Sequence, residues 1–124
     1  MTNKYQIYRC PICGNVVGVL HEGNGQLVCC GQPMQLLEPK IEDVGFEKHL
    51  PVVEKTANGI EVKVGSVAHP MEEGHFIEWI GIILNGEIRI KFLKPNEEPK
   101  VNFEGVENDV EVFSYCNLHG LWKS

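Results

Sequence analysis

The sequence predicts a mainly β protein in two parts, a small metal-stapled module over residues 1–38 and a β-sandwich over residues 39–124. Three observations carry this. Cys10, Cys13, Cys29 and Cys30 crowd into the first thirty residues, and Cys116 stands far from them. From Val52 onward, short runs alternate apolar and charged residues with the two-residue period of a strand. Asn-Gly pairs, the strongest short hairpin signal, stand between such runs.

The first part is poor in bulky apolar residues. A module of about forty residues buries too little surface to fold alone, so a bound metal is expected to stabilise it. "HEGNGQ" (residues 21–26) reads as the turn of a small hairpin, which makes His21 a solvated loop histidine. Pro39 and Pro51 limit regular structure at either end of a connector. In "GIEVKVGS", Ile60, Val62 and Val64 alternate with Glu61 and Lys63; in "GEIRIKFLKP", Ile88, Ile90 and Phe92 alternate with Arg89 and Lys91. Each run is expected to bury its apolar face. Asn58-Gly59 and Asn85-Gly86 supply turns, and "PKVNFEG" and "NDVEVFSYC" supply two more strands. Short strands with turns between them, and no long amphipathic helix, point to a sandwich.

The chain has 124 residues, a formal net charge of −6 and a pI near 5.3. Lys4 and Arg9 balance Glu22 and Glu38, so the net charge belongs to residues 39–124. Such a chain is a poor partner for nucleic acid or an anionic membrane surface. No apolar stretch is long enough to span a bilayer, and "MTNKYQIYRC" lacks the apolar core of a secretory signal. The expectation is a cytoplasmic protein. In a reducing compartment, cysteines read as metal ligands or redox groups before disulfides. Five cysteines also leave one thiol over in any full pairing scheme.

"CPIC", fifteen residues and then "CC" place four thiolates for one tetrahedral metal. That donor set suits zinc or iron. The alternative is a redox-active Cys-x-x-Cys pair. Zinc ribbons usually repeat Cys-x-x-Cys; adjacent Cys29 and Cys30 should strain the tetrahedron, which tilts the choice toward iron.

The second constellation is His49, His69, His75, Cys116 and His119, each near a turn signal or strand end. Loops at one end of a sandwich can gather such residues. Five ligands are one more than a closed zinc site uses. Four neutral imidazoles and one thiolate suit a square pyramid with a sixth position open. A thiolate opposite that position pushes electron density toward whatever binds, which suits a redox metal that reduces a small oxygen species. A ferrous ion with one thiolate carries a net charge of +1, so the centre attracts a small anion. The acidic surface matters less, because remote charges fade over ~8 Å at physiological salt. Lys48, beside His49, is either a surface lysine or a group that draws an anion and orders a proton-donating water. Glu47 is placed to swing onto the open position. Two other readings stand beside this one. A blue-copper electron carrier expects an axial methionine soon after the histidine, and residues 120–124 hold none. The other is a zinc-stapled binding module.

The runs "YRCPICGNVV", "LVCCGQPM", "EKHLPVVEK", "GSVAHPMEEGH" and "YCNLHGLW", in this order, closely resemble the desulfoferrodoxins, the two-iron class of superoxide reductase. The resemblance spans essentially the whole chain. It implies a desulforedoxin-like first module binding ferric iron through Cys10, Cys13, Cys29 and Cys30, and an immunoglobulin-like β-sandwich carrying a catalytic iron. It implies His49, His69, His75 and His119 as equatorial ligands of that iron, and Cys116 as the axial one, with the ion cycling between Fe2+ and Fe3+. It implies that Lys48 assists reduction and that Glu47 ligates the resting ferric iron. The implied reaction reduces superoxide to hydrogen peroxide without oxygen release, a detoxification suited to an anaerobe. Implied partners are a second copy, as a homodimer, and an electron donor protein such as rubredoxin.

Overall fold

In the structure, a computed structural model, the described residues are 1–43, 48–84, 86–107 and 110–124. The readings that fall on Glu47, on Asn85 and on Asn108-Asp109 therefore lie outside the described residues. The chain divides into two compact units, Met1–Glu38 and Pro39–Ser124.

The first unit holds five short strands: β1 (Ile7–Arg9), β2 (Val16–Gly18), β3 (Val28–Cys29), β4 (Gln32–Pro33) and β5 (Gln35–Leu36). They form a β2-β1-β5 sheet and a separate β3-β4 ribbon. The hairpin turn falls on "CPICGN", between β1 and β2. There Cys10 N donates to Asn15 O at 2.8 Å and Gly14 N to Cys10 O at 3.0 Å, with Gly14 at φ 82°. Only glycine takes that backbone without strain. "HEGNGQ" is not a hairpin turn, contrary to expectation. It links β2 to β3, which do not pair, and is tied to the start of the chain by Thr2 N donating to Gly23 O at 2.9 Å. The buried side chains of this unit, Thr2, Tyr8, Cys10 and Val19, make a very small core.

The second unit contributes β6 (Pro51–Lys55), β7 (Gly59–Val64), β8 (Ile77–Leu84), β9 (Glu87–Phe92), β10 (Lys100–Glu104), β11 (Glu111–Cys116) and β12 (Gly120–Lys123). The order β10-β7-β6 faces the order β12-β11-β8-β9, both antiparallel throughout. Ile60, Val62, Val64 and Phe103 from one sheet share a core with Ile80, Ile82 and Val112 from the other. This is the sandwich that the alternation of β7 predicts. Trp79 stacks on Tyr115 across the outer face of the larger sheet. No helix among the described residues is long and apolar enough to cross a membrane.

Strand β9 reverses its expected facing. Ile88, Ile90 and Phe92 are 40%, 42% and 75% exposed. Its charged residues turn instead toward the neighbouring sheet, where Arg89 Nη1 donates to Glu104 O at 2.6 Å and Lys91 Nζ donates to Asn102 O. These long side chains cover the unpaired backbone edge of β10. Long cationic side chains over an open sheet edge shield it from pairing with another strand.

Candidate metal centres

In the first unit, Cys10 and Cys13 stand on the β1–β2 turn. Cys29 ends β3, and Cys30 opens the turn into β4. The four Sγ atoms all lie within 4.8 Å of one another, with Cys13–Cys29 at 3.6 Å and Cys29–Cys30 at 3.9 Å. A tetrahedron with metal–sulfur bonds of about 2.3 Å has edges of about 3.8 Å, so the cage fits one metal. The strain expected from adjacent cysteines is taken by the backbone: Cys30 sits at φ 53° and Gly31 at φ 73°.

Hydrogen bonds sort the thiols. The Cys13 amide, 3.5 Å from Cys10 Sγ, is the main reason that Cys10 is lowered to about 6, with the Ile12 amide adding to it against burial. Hydrogen bonding with Cys10 and then Cys13 pushes Cys29 up to about 12, and Cys30 is raised chiefly by Cys13. One thiolate forms readily in the cluster and the next ones resist. A cation reverses that resistance, because a coordinating thiol is deprotonated outright.

The second centre sits at one end of the sandwich. His49 precedes β6, and His69 follows β7. His75 closes a small bridge with Glu72 just before β8, and Cys116 ends β11 with His119 in the turn to β12. Antiparallel pairing brings these strand ends together: Pro51 opposes Val64, and Cys116 opposes Ile77. Between Tyr115 and Cys116 the partner on β8 skips from Trp79 to Ile77, a bulge of the kind that re-aims side chains beside functional sites.

The four imidazoles close a ring. Centroids are 4.5 Å apart for His49–His69, 4.9 Å for His69–His75, 5.1 Å for His75–His119 and 4.9 Å for His119–His49. Cys116 Sγ lies 3.8 Å from His119 Nδ1, and His49 Nε2 lies 3.2 Å from that same nitrogen. All five donor atoms fall within 4.8 Å of one another. Nitrogens bonded to one metal at about 2.1 Å lie about 3 Å apart when adjacent and about 4.2 Å when opposite. The donor set therefore fits a single ion held by four nitrogens and one sulfur. His49, His69 and Cys116 are buried, His75 is half-buried and His119 is exposed, so His119 is the ligand through which the centre reaches solvent. His21 joins neither cluster.

Sequence reasoning missed the residues that aim these ligands. His69 Nδ1 meets the Pro70 carbonyl at 2.7 Å, which directs Nε2 inward. Asp43 Oδ1 accepts from the His49 amide at 2.7 Å and the Leu50 amide at 3.1 Å, and buried Ser114 Oγ donates to His49 O at 2.9 Å. Asn117 grips both sides of His75: Oδ1 accepts from Phe76 N at 2.9 Å and Nδ2 donates to Gly74 O at 3.0 Å. The one available signal was Asn117 inside "CNLH", a side chain able to pair with backbone like another strand. Lys48 is half-buried beside His49.

Comparison with known proteins agrees with this geometry. Residues 41–124 match the Desulfoferrodoxin family and residues 2–37 match the Desulfoferrodoxin N-terminal domain. A desulfoferrodoxin homolog of Archaeoglobus fulgidus is 56% identical over 124 residues, covering 100% of this chain and 99% of that one. Desulforedoxin of Megalodesulfovibrio gigas is 56% identical over 34 residues, 27% of this chain and 92% of its own. The crystal structure of the superoxide reductase from Treponema pallidum matches with a TM-score of 0.78 at 30% identity, covering 96% of both chains. With both parts matched along nearly their whole length, the chain belongs to the desulfoferrodoxin family.

Proposed function

We propose that this chain is a superoxide reductase: superoxide takes up one electron and two protons and leaves as hydrogen peroxide, with no oxygen released. The observation that carries this is the closed ring of four imidazoles with Cys116 as a fifth donor, one ligand of which, His119, reaches solvent. Structural zinc uses four donors and no open face.

The chain holds two iron ions, one at Cys10, Cys13, Cys29 and Cys30, the other at His49, His69, His75, His119 and Cys116. Bound at the second site, iron supplies the electron. The residues do the rest. Neutral imidazoles add no charge, so the site keeps the net positive charge that attracts an anion. Buried Cys116 would contribute a thiolate as the fifth donor. Lys48 draws superoxide in and delivers protons through water, and Glu47 guards the open position after turnover. Residues 1–38 and 39–124 act as two functional domains. A redox protein such as rubredoxin returns the electron, at the solvent-facing His119 side. The chain works as a cytoplasmic homodimer. Five cysteines serving as ligands suit a reducing compartment, and the apolar outer face of β9 suits pairing with a second copy.

The test is stoichiometry. The purified chain should carry two irons and convert each superoxide consumed into one peroxide, with no oxygen evolved when a donor is supplied. Oxygen appearing at half the superoxide consumed would make it a dismutase. One copper or one zinc per chain would return the electron-carrier or binding-module reading.

A further inference from the structure

Trp122 is 3% exposed, and its indole lies flat on the His49 imidazole, with centroids 4.4 Å apart and planes 8° from parallel. Its Nε1 is buried and has no acceptor among the described residues. A buried donor without an acceptor is a cost, so hydrogen bonding does not account for an indole here. Its large flat face does.

The same ring carries a cation. Lys40 Nζ lies 4.8 Å from the indole centroid and donates to the His119 carbonyl at 2.8 Å. Lys40 is itself fixed by backbone pairing beside β12: its amide donates to Leu121 O at 2.9 Å, and Lys123 N donates to its carbonyl at 2.9 Å. Two ligands that are remote in sequence, His49 and His119, thus meet one small assembly.

We propose that Trp122 and Lys40 are positioning residues for the five-donor centre, the indole fixing the plane of His49 and the lysine tying the Cys116–His119 loop to it. Asp43 and Ser114 fix the His49 backbone, but backbone bonds leave the side-chain torsions open. A stacked indole restricts them, and the cation–π contact holds the indole in turn. Loss of such outer support typically costs a metal site 10–100-fold in affinity. The lysine also places positive charge beside the centre, which favours the ferrous over the ferric ion. Lys40 is exposed, so its share is the smaller one.

The inference rests on the proposed iron site, not on its substrate, and the test separates the two. Iron content of the unaltered chain is read first; no iron at the second site would overturn the metal assignment and this inference with it. With iron bound, three quantities are followed in Trp122→Phe, Trp122→Leu, Lys40→Met and Lys40→Arg: the rate of iron extraction by a chelator, the thiolate-to-iron absorption band, and the reduction potential. Trp122→Leu should release iron about tenfold faster or more and shift the band, whereas Trp122→Phe, which keeps a flat ring, should stay near the unaltered chain. Lys40→Met should lower the potential and speed release by less, with Lys40→Arg restoring both. Equal effects of Trp122→Phe and Trp122→Leu would mean that the indole only fills volume, and would overturn the proposal. If Trp122→Leu does not fold, Lys40→Met decides: unchanged potential and release would overturn it.

Discussion

The two metal centres are built in opposite ways. The sulfur site takes identical donors from two tight turns, at residues 10–13 and 29–30, in a unit whose buried side chains are few. The histidine–cysteine site takes donors from positions 49 to 119, mounted on strand ends that a shared hydrophobic core already fixes. The first unit, with so small a core, is expected to need its metal to hold the fold; in the second, strand ends fixed by the core bring the donors together. A local site needs only sequence spacing and closes around its ion. A site assembled by packing can leave one face open, and an open face is what chemistry requires.

The strongest way to break this comparison is to remove the one sulfur of the second site. Cys116→Ser should abolish the thiolate-to-iron absorption and cost more than the roughly 100-fold that loss of an outer-shell partner can reach. The sandwich itself should survive, because the change is nearly isosteric. Rapid mixing with superoxide and the visible spectrum read the two effects separately. An unchanged spectrum would remove Cys116 from the centre.

Withdrawing metal sharpens the contrast next. Cys13→Ser, or chelation of the first iron, should unfold residues 1–38 while the amide exchange of β7, β8 and β11 stays slow. Metal binding can supply on the order of 10 kcal/mol to a module of this size. Loss of protection in both units would show that the sandwich depends on the first unit as well as on its own core. Acid should act on the sulfur site in two stages. In the metal-free cluster Cys29 is raised to about 12 and Cys30 is raised too, so binding must expel their protons, and affinity falls as pH is lowered. Cys10, lowered to about 6, is already a thiolate above that pH and adds a further proton to expel below it. The fall should therefore steepen under pH 6. A fall of constant slope between pH 8 and 5, followed by the first site's absorption, would contradict the sorting of thiols.

What the sequence made legible divides along the same line. "CPIC" and "CC" declare a local site because thiolate type and spacing are the whole requirement. Cys116 with His119 in "CNLH" was legible for the same reason. The alternation Ile60, Val62, Val64 gave the inward face of β7, but the same pattern misled in β9. Period two says that a strand has two different faces, not which one is inside. Arg89 and Lys91 turn inward to reach carbonyls of β10, and no residue type announces a backbone edge that wants cover. Asp43 and Ser114 were invisible on the same ground, their partners being backbone atoms of the ligand segments, and Asn117 was signalled only by its place inside "CNLH". The hairpin turn was misplaced because glycines in "HEGNGQ" look like a turn wherever they stand, while the turn that forms is the metal knuckle.

The finest test concerns how closely the fold aims a group that is not a ligand. A Cβ added at Gly65 would lie 2.6 Å from the Lys48 carbonyl oxygen and 2.8 Å from Lys48 Cβ, closer than such atoms come. Gly65 is buried at the end of β7, so the space is set by the backbone of Lys48 itself. Gly65→Ala must push that segment outward or distort the strand end. Overpacking of this kind costs about 1–3 kcal/mol, a Tm loss of at least about 4 °C for a unit this size. Lys48→Ile is its control. Removing the charge should slow encounter with superoxide by about tenfold at low salt and flatten the dependence on ionic strength. Gly65→Ala keeps the charge and misplaces it, so it should slow the reaction by less and leave the salt dependence intact. Calorimetry and rapid mixing at two ionic strengths separate the variants. If Gly65→Ala changes neither Tm nor rate, the close approach does not constrain Lys48, and the sandwich aims its ligands more strictly than the lysine beside them.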